Sequence, residues 1–196
     1  MIGSPLPMDH SSFSAPGLPL PKLSLIVGGA RSGKSRLAER LVARLATATG
    51  LPRAYIATAE IWDEEMRARI DRHIADRGDG WVTQEAPRDL AGALARTEGV
   101  VLIDCATLWL TNVMLGGGDV ERETAEMLAA IAVYPGPVIV VSNEVGWGIV
   151  PDNKLSRDFR DAQGRLNQRL AEAADLVAGV MAGLPMVLKG QMPVLQ

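Results

Sequence analysis

The string Gly28-Gly29-Ala30-Arg31-Ser32-Gly33-Lys34-Ser35 satisfies G-x-x-x-x-G-K-[ST], and no other stretch constrains this chain so tightly. It follows a compact apolar run, Leu23 to Val27, which reads as a buried strand. It also opens a segment, Lys34 to Thr49, in which Leu37, Leu41 and Leu45 recur at helical spacing before Gly50 closes it. In a strand-loop-helix context, glycines let the loop curl so that backbone N–H groups point inward at phosphate oxygens, and the helix N-terminus adds its dipole. Lys34 then reaches the β- and γ-phosphates of a nucleoside triphosphate, and the Ser35 hydroxyl coordinates Mg²⁺.

The rest of the chain fits a sheet built around such a loop. Strands are expected at Ala54–Thr58, Trp81–Gln84, Val100–Ile103, Pro137–Val141, Leu176–Met181 and Met186–Leu188. Between them, helical spacing appears over Ile61–Ile74 (Trp62, Met66, Ile70, Ile74), over Pro87–Arg96 with proline in its first turn, over Glu121–Val133 after an N-cap at Asp119, and over Leu155–Ala174 with Phe159, Leu166 and Leu170 on the core face. Gly116-Gly117-Gly118 reads as a loop. Alternating strands and helices with near-continuous apolar strands predict an α/β fold, a mostly parallel sheet covered by helices on both faces. Ligands of such sheets bind at the carboxyl ends of the strands, where these motifs fall.

A phosphate loop needs an acid on a neighbouring strand to hold the metal. Val100-Val101-Leu102-Ile103-Asp104 offers one, although a carboxylate in that position can equally cap the following turn. Asn143-Glu144 stands at another strand end, with phosphate-facing and turn-stabilising readings of similar weight. A guanine-nucleotide switch is disfavoured. Asn153-Lys154-Leu155-Ser156 resembles N-K-x-D but lacks the carboxylate that would read guanine, and Asp104-Cys105-Ala106-Thr107 lacks the glycine of D-x-x-G.

Composition excludes several other classes. Twenty Lys and Arg against 23 Asp and Glu leave a net charge of −3, without the basic surplus that non-specific nucleic-acid or anionic-membrane binding requires. Cys105 is the single cysteine, so there is no disulfide scaffold or cysteine zinc cluster, which fits a reducing, cytoplasmic setting. The two histidines, His10 and His73, are too few for a histidine-rich metal site. No stretch has the length of apolar residues that a membrane span needs. Residues 1–21 read as a flexible tail without the features of a signal peptide, leaving 22–196 as one domain.

His73 stands beside the core stripe of the Ile61–Ile74 helix, with Arg69 one turn before, Arg77 one turn after, and Arg72 and Asp76 close by. Flanking arginines attract phosphate and disfavour the imidazolium, which keeps a ring neutral and nucleophilic. A solvated histidine on a helix face fits the same pattern.

Six segments add a resemblance. GGARSGKS, YIATAEIWDEEMRARIDRH, WVTQEAP, VLIDCATLWLTN, SNEVGWGIVP and FRDAQGRLNQRLAEAAD occur in that order between about Leu23 and Leu188. Together they resemble the bifunctional adenosylcobinamide kinase/adenosylcobinamide-phosphate guanylyltransferases of cobalamin biosynthesis. The resemblance implies a RecA-like P-loop NTPase fold and two reactions: ATP or GTP phosphorylates adenosylcobinamide, and GTP then transfers GMP through a histidine to give adenosylcobinamide-GDP. It implies His73 as that histidine, since it follows the M-x-x-R-I stretch at Met66 to Ile70; relatives carrying a histidine pair there have a first histidine where this chain has Arg72. It implies nucleotide contacts on the P-loop, on Thr58-Ala59-Glu60, on Asp76 and Arg77 and on Glu85, with Asp104 as the strand-end carboxylate. A homotrimer is implied as well. A monofunctional P-loop small-molecule kinase and a nucleotide-binding regulator are the readings from other classes.

Overall fold

The structure, a computed structural model, describes residues 20–60, 64 and 77–194. The helix expected over Ile61–Ile74, with Arg69, Arg72, His73 and then Asp76, lies outside the described residues, as does the tail before residue 20.

Seven strands, β1 (Leu23–Gly28), β2 (Arg53–Ala57), β3 (Trp81–Glu85), β4 (Val100–Asp104), β5 (Val138–Asn143), β6 (Leu176–Met181) and β7 (Leu184–Lys189), form one sheet. Their order is β3-β2-β4-β5-β1-β6-β7. Every neighbouring pair is parallel except β6 with β7. Five helices are described: α1 (Lys34–Thr49), α2 (Leu90–Ala95), α3 (Ala106–Leu115), α4 (Val120–Val133) and α5 (Lys154–Ala173). The α/β class and the mostly parallel sheet follow the expectation from sequence.

Strand side chains alternate between two cores because successive Cβ atoms point to opposite faces. Leu25, Val101, Ile103, Val138 and Val140 face a core shared with Leu90, Trp109, Met127 and Leu166 of α2 to α5. Ile26, Val100, Leu102, Ile139 and Val141 face the other, closed by Leu37, Leu41, Val42 and Leu45 of α1. Helices thus cover both faces, and the central strands have no solvated side.

Several boundaries differ from expectation. The helix expected from Pro87 starts at Leu90, because Asp89 is the better N-cap: its side chain accepts from the Gly92 N–H at 2.7 Å. Helix α3 was not expected at all. Its buried positions include Ala106, Thr107, Trp109, Leu110, Asn112 and Val113, so burial runs nearly all round it, polar Thr107 and Asn112 included, and leaves no apolar stripe to read. Strand β2 ends at Ala57, one residue before Thr58. The last strand is twice the expected length, paired antiparallel through a tight turn at Ala182 (φ 52) and Gly183 (φ 81).

Helix α1 is held to the sheet by an unexposed Leu41, whose side chain has no solvent-facing alternative. Leu41→Ala is expected to cost about 2–5 kcal/mol. The check is a urea titration in which the midpoint falls and the slope is unchanged.

Candidate nucleotide site at the carboxyl edge of the sheet

The six parallel strands, β1 to β6, end along one edge. Ala57 of β2 is level with Glu85 of β3 and Asp104 of β4, while Gly28 of β1 is level with Asn143 of β5 and Val180 of β6. Asp104 pairs with Val141, two residues before Asn143, so with neighbouring strands about 4.8 Å apart these residues form a row with one step between β4 and β5.

The loop from Gly28 to Ser35 rises from the middle of that row. It is pinned on both sides: the Glu144 N–H donates to the Gly28 carbonyl at 3.1 Å, and the Gly183 N–H of the β6–β7 turn donates to the Ser32 carbonyl at 2.9 Å. The Ser32 N–H donates to the Gly29 carbonyl at 3.3 Å, which closes the curl. Gly33 enters α1 with φ 97, a conformation that a side chain would strain. At Gly28 space is the limit, since a Cβ would lie 2.6 Å from both the Val180 carbonyl oxygen and Ser32 Oγ. Lys34 Nζ donates to the Gly29 carbonyl at 3.1 Å, which folds the ammonium back over the loop. The first turn of α1 carries no acidic side chain of its own, which suits an anion at that N-terminus.

Asp104 is half-buried at the end of β4, and α3 begins immediately after it with Cys105 as an N-cap that makes no side-chain cap bond. Thr58, fully buried, joins β2 to this junction: its Oγ1 donates to the Cys105 carbonyl and accepts from the Cys105 N–H, both at 2.8 Å. Cys105 is adjacent to the site but is no nucleophile. Burial pushes its thiol up to about 11, with Asp104 adding to the effect against a weaker pull from the Leu108 and Thr107 amides and Lys34.

The remaining expected positions are placed as follows. Ala59 and Glu60 are half-buried beyond β2, and Glu85 is exposed at the end of β3. The Arg77 guanidinium stacks 3.5 Å over the Tyr55 ring and 5.6 Å from that of Trp81, two residues below the rim at Ala57. Glu144 Oε1 accepts from the Gly146 N–H at 2.6 Å, so its carboxylate closes its own turn. Asn153, whose neighbourhood resembles a guanine-reading motif, is the N-cap of α5 and accepts from the Ser156 N–H at 2.8 Å. Asn112 was not singled out from sequence, because α3 was not. Its buried amide donates to the Thr58 carbonyl at 2.8 Å and the Pro87 carbonyl at 3.0 Å.

A phosphate loop flanked by a strand-end acid is shared by many enzymes, and comparison with known proteins narrows the choice. Residues 24–188 match the family described as cobinamide kinase / cobinamide phosphate guanyltransferase. The chain belongs to this family. A relative from Pseudomonas aeruginosa, the bifunctional adenosylcobalamin biosynthesis protein CobP, is 48% identical over 174 residues, covering 85% of this chain and 97% of its own. The CobU proteins of Salmonella typhimurium and Escherichia coli, also called bifunctional adenosylcobalamin biosynthesis proteins, are 40% and 39% identical over 183 residues, covering 84% of this chain and 98% of theirs. The loop, the acid strand and the Thr58–Cys105–Asn112 junction of this cobinamide kinase / guanyltransferase chain all lie within the matched residues. Among the described residues no helix is long and apolar enough to cross a membrane.

Two outcomes follow from this geometry. Gly28→Ala is expected to weaken nucleoside triphosphate binding by about tenfold or more, equivalent to ~1.4 kcal/mol, because the clashing Val180 oxygen is backbone and cannot swing away. A fluorescence titration with a labelled nucleotide reads this; unchanged affinity would show that the loop tolerates the shift. Cys105 makes stability pH-dependent. The unfolded thiol loses its proton near 9 and the folded one near 11, so this contribution is complete below pH 9 and falls as pH rises toward 11. Relative to Cys105→Ala, the wild type should lose stability over that window in urea titrations, and parallel curves would contradict the assignment.

Proposed function

We propose that this chain is an adenosylcobinamide kinase and adenosylcobinamide-phosphate guanylyltransferase that carries out both reactions with nucleotide held at the loop Gly28–Ser35. The observation that carries the reading is the built phosphate loop, bonded to β5 and β6 on its two sides, in a chain whose residues 24–188 match that family.

In the kinase step the aminopropanol hydroxyl oxygen of the corrinoid attacks the γ-phosphorus of ATP or GTP. The bond from that phosphorus to the bridging oxygen breaks, the diphosphate leaves and the hydroxyl proton is released. Lys34 and the loop N–H groups bind the triphosphate and oppose its charge as it shifts toward the leaving group. Ser35 and Asp104 would hold Mg²⁺, which supplies charge neutralisation across the phosphates. The donor set fits that ion: a serine hydroxyl and a half-buried strand-end carboxylate are hard oxygen donors, and Mg²⁺ characteristically takes one or two protein oxygens with phosphate and water.

In the second reaction a histidine nitrogen attacks the α-phosphorus of GTP and pyrophosphate leaves. The corrinoid phosphate oxygen then displaces the histidine, so the P–N bond breaks and adenosylcobinamide-GDP forms. We assign this role to His73, the histidine outside the tail. An imidazole with an unperturbed pKa of about 6.5 is neutral and nucleophilic at working pH. Thr58, Ala59, Glu60, Asp76, Arg77 and Glu85 complete the nucleotide contacts in this reading. Arg77 would contribute from a ring-stacked guanidinium that anchors the chain after His73. The cytoplasm suits the buried free thiol of Cys105, and the homotrimer has surface to bury along β7, where Leu184, Met186 and Leu188 are exposed.

Labelled GTP separates the two half-reactions. Label at the α-phosphate should leave an alkali-stable, acid-labile adduct on the protein, and label at the γ-phosphate should not. His73→Ala should abolish the adduct and keep kinase activity, whereas Lys34→Ala should slow both reactions by about 10²–10³-fold. No adduct on the wild type would favour a monofunctional kinase, and an adduct persisting in His73→Ala would remove His73 from its role. Binding without corrinoid-dependent turnover would point to a regulator.

A further inference from the structure

At the carboxyl edge of a parallel sheet the hydrogen-bond ladder runs out, and the first carbonyls beyond each strand need donors from elsewhere. The last backbone bonds near β2 and β3 are from the Ala86 N–H to the Ala57 carbonyl at 2.8 Å and from the Thr58 N–H to the Asp104 carbonyl at 3.3 Å. The carbonyl of Thr58, the first residue beyond β2, and that of Pro87, two residues beyond β3, are both met by one side chain. Asn112 of α3, 6% exposed, places its Nδ2 at 2.8 Å and 3.0 Å from them. Both neighbours are acceptors only, so the amide must present its NH₂ group here, and the assignment of its nitrogen is chemically fixed.

We infer that Asn112 is a positioning residue for the nucleotide: by holding these two carbonyls it sets the spacing between the turn carrying Thr58-Ala59-Glu60 and the strand end carrying Glu85. This rests on the nucleotide contacts assigned above, and Asn112 itself touches no substrate. Its neighbours on α3, Trp109, Leu110 and Val113, are buried hydrophobics. An amide among them is favourable only when bonded, and an apolar side chain of similar size would fill the space but leave two carbonyls unpaired. Thr58 is tied in turn to Cys105 through both bonds of its hydroxyl. Asn112 is thus the side chain of α3 that bonds both the turn after β2 and the segment after β3, beside the Ala86 N–H bond to the Ala57 carbonyl and a bond from Trp109 Nε1 to the Arg88 carbonyl at 3.0 Å.

The opposite edge of the sheet supplies a control. Tyr134 Oη donates to the Gly99 carbonyl at 2.9 Å, also buried, just before β4 begins. Asn112→Leu, Asn112→Ser, Asn112→Gln, Tyr134→Phe and Lys34→Ala are compared in the full chain by binding of a fluorescent GTP analogue with magnesium and by urea titration. Asn112→Leu should weaken the nucleotide tenfold or more. Asn112→Ser, which keeps one donor and covers the case in which the leucine variant does not fold, should fall between, and Asn112→Gln should recover part of the affinity. Tyr134→Phe should lower the urea midpoint yet bind within twofold of wild type. The inference is overturned if Asn112→Ser and Asn112→Leu bind like wild type while Lys34→Ala does not, or if Tyr134→Phe weakens binding as much as they do. Undiminished binding by Lys34→Ala would instead overturn the site reading on which the inference stands.

Discussion

The hydrogen bonds that fasten the glycine loop to the strands beside it are the constraint from which the rest of this structure follows. A loop that binds phosphate through backbone N–H groups works only if those groups are already in place, because ordering them on binding would consume the affinity they provide. Here the Gly28 carbonyl is held from the β5 side by Glu144, and the Ser32 carbonyl from the β6 side by Gly183. That demand explains why Gly28 has no room for a Cβ and why Gly183 closes a tight hairpin next to the loop. It also explains why β1 lies between β5 and β6, with α1 packed over the face behind it.

The same logic extends along the edge, where buried side chains take over from the ladder. Thr107 Oγ1 accepts from the Asn143 N–H at 2.9 Å, and Asn167 Nδ2 donates to the Asn143 carbonyl at 3.0 Å. Gln163 Nε2 donates to Ser142 Oγ at 2.9 Å, which places a further polar link between α5 and β5. Together with Thr58 and Asn112 these groups lie on the side of the sheet covered by α3 and α5, opposite α1. The edge is therefore polar where it meets those helices and still rigid, a combination that suits repeated exchange of charged nucleotides without rearrangement of the strands.

Much of this was legible in the sequence because the relevant signals are local. Leu23 to Val27 announce a strand by their continuous apolar character, Leu37, Leu41 and Leu45 announce a helix by their spacing, and the glycines between them announce the loop. Asp104 was legible as a strand end because the apolar run Val100 to Ile103 stops directly at it. Helix α3 was not, because burial on nearly every side removes the periodicity that betrays a surface helix, and with it went Asn112, whose significance depends on two carbonyls 54 and 25 residues away. The roles of Glu144 and Asn153 were ambiguous for a related reason. Short polar groups at strand ends and helix starts serve turns and ligands with the same chemistry, and only the Gly146 and Ser156 amides they accept from decide between the two. Arg77 was expected from family resemblance near the phosphates, and the rings of Tyr55 and Trp81 that stack with it are too distant in sequence to have been paired with it in advance.

The central claim is that a single phosphate loop serves both the kinase and the guanylyltransfer reactions. Calorimetric titration of the wild-type chain with a non-hydrolysable GTP analogue, followed by a non-hydrolysable ATP analogue, tests it most directly. The account predicts one magnesium-dependent triphosphate site per chain and mutual displacement of the two analogues. Two independent sites per chain, or ATP-analogue binding that is unaffected by saturation with the GTP analogue, would contradict it.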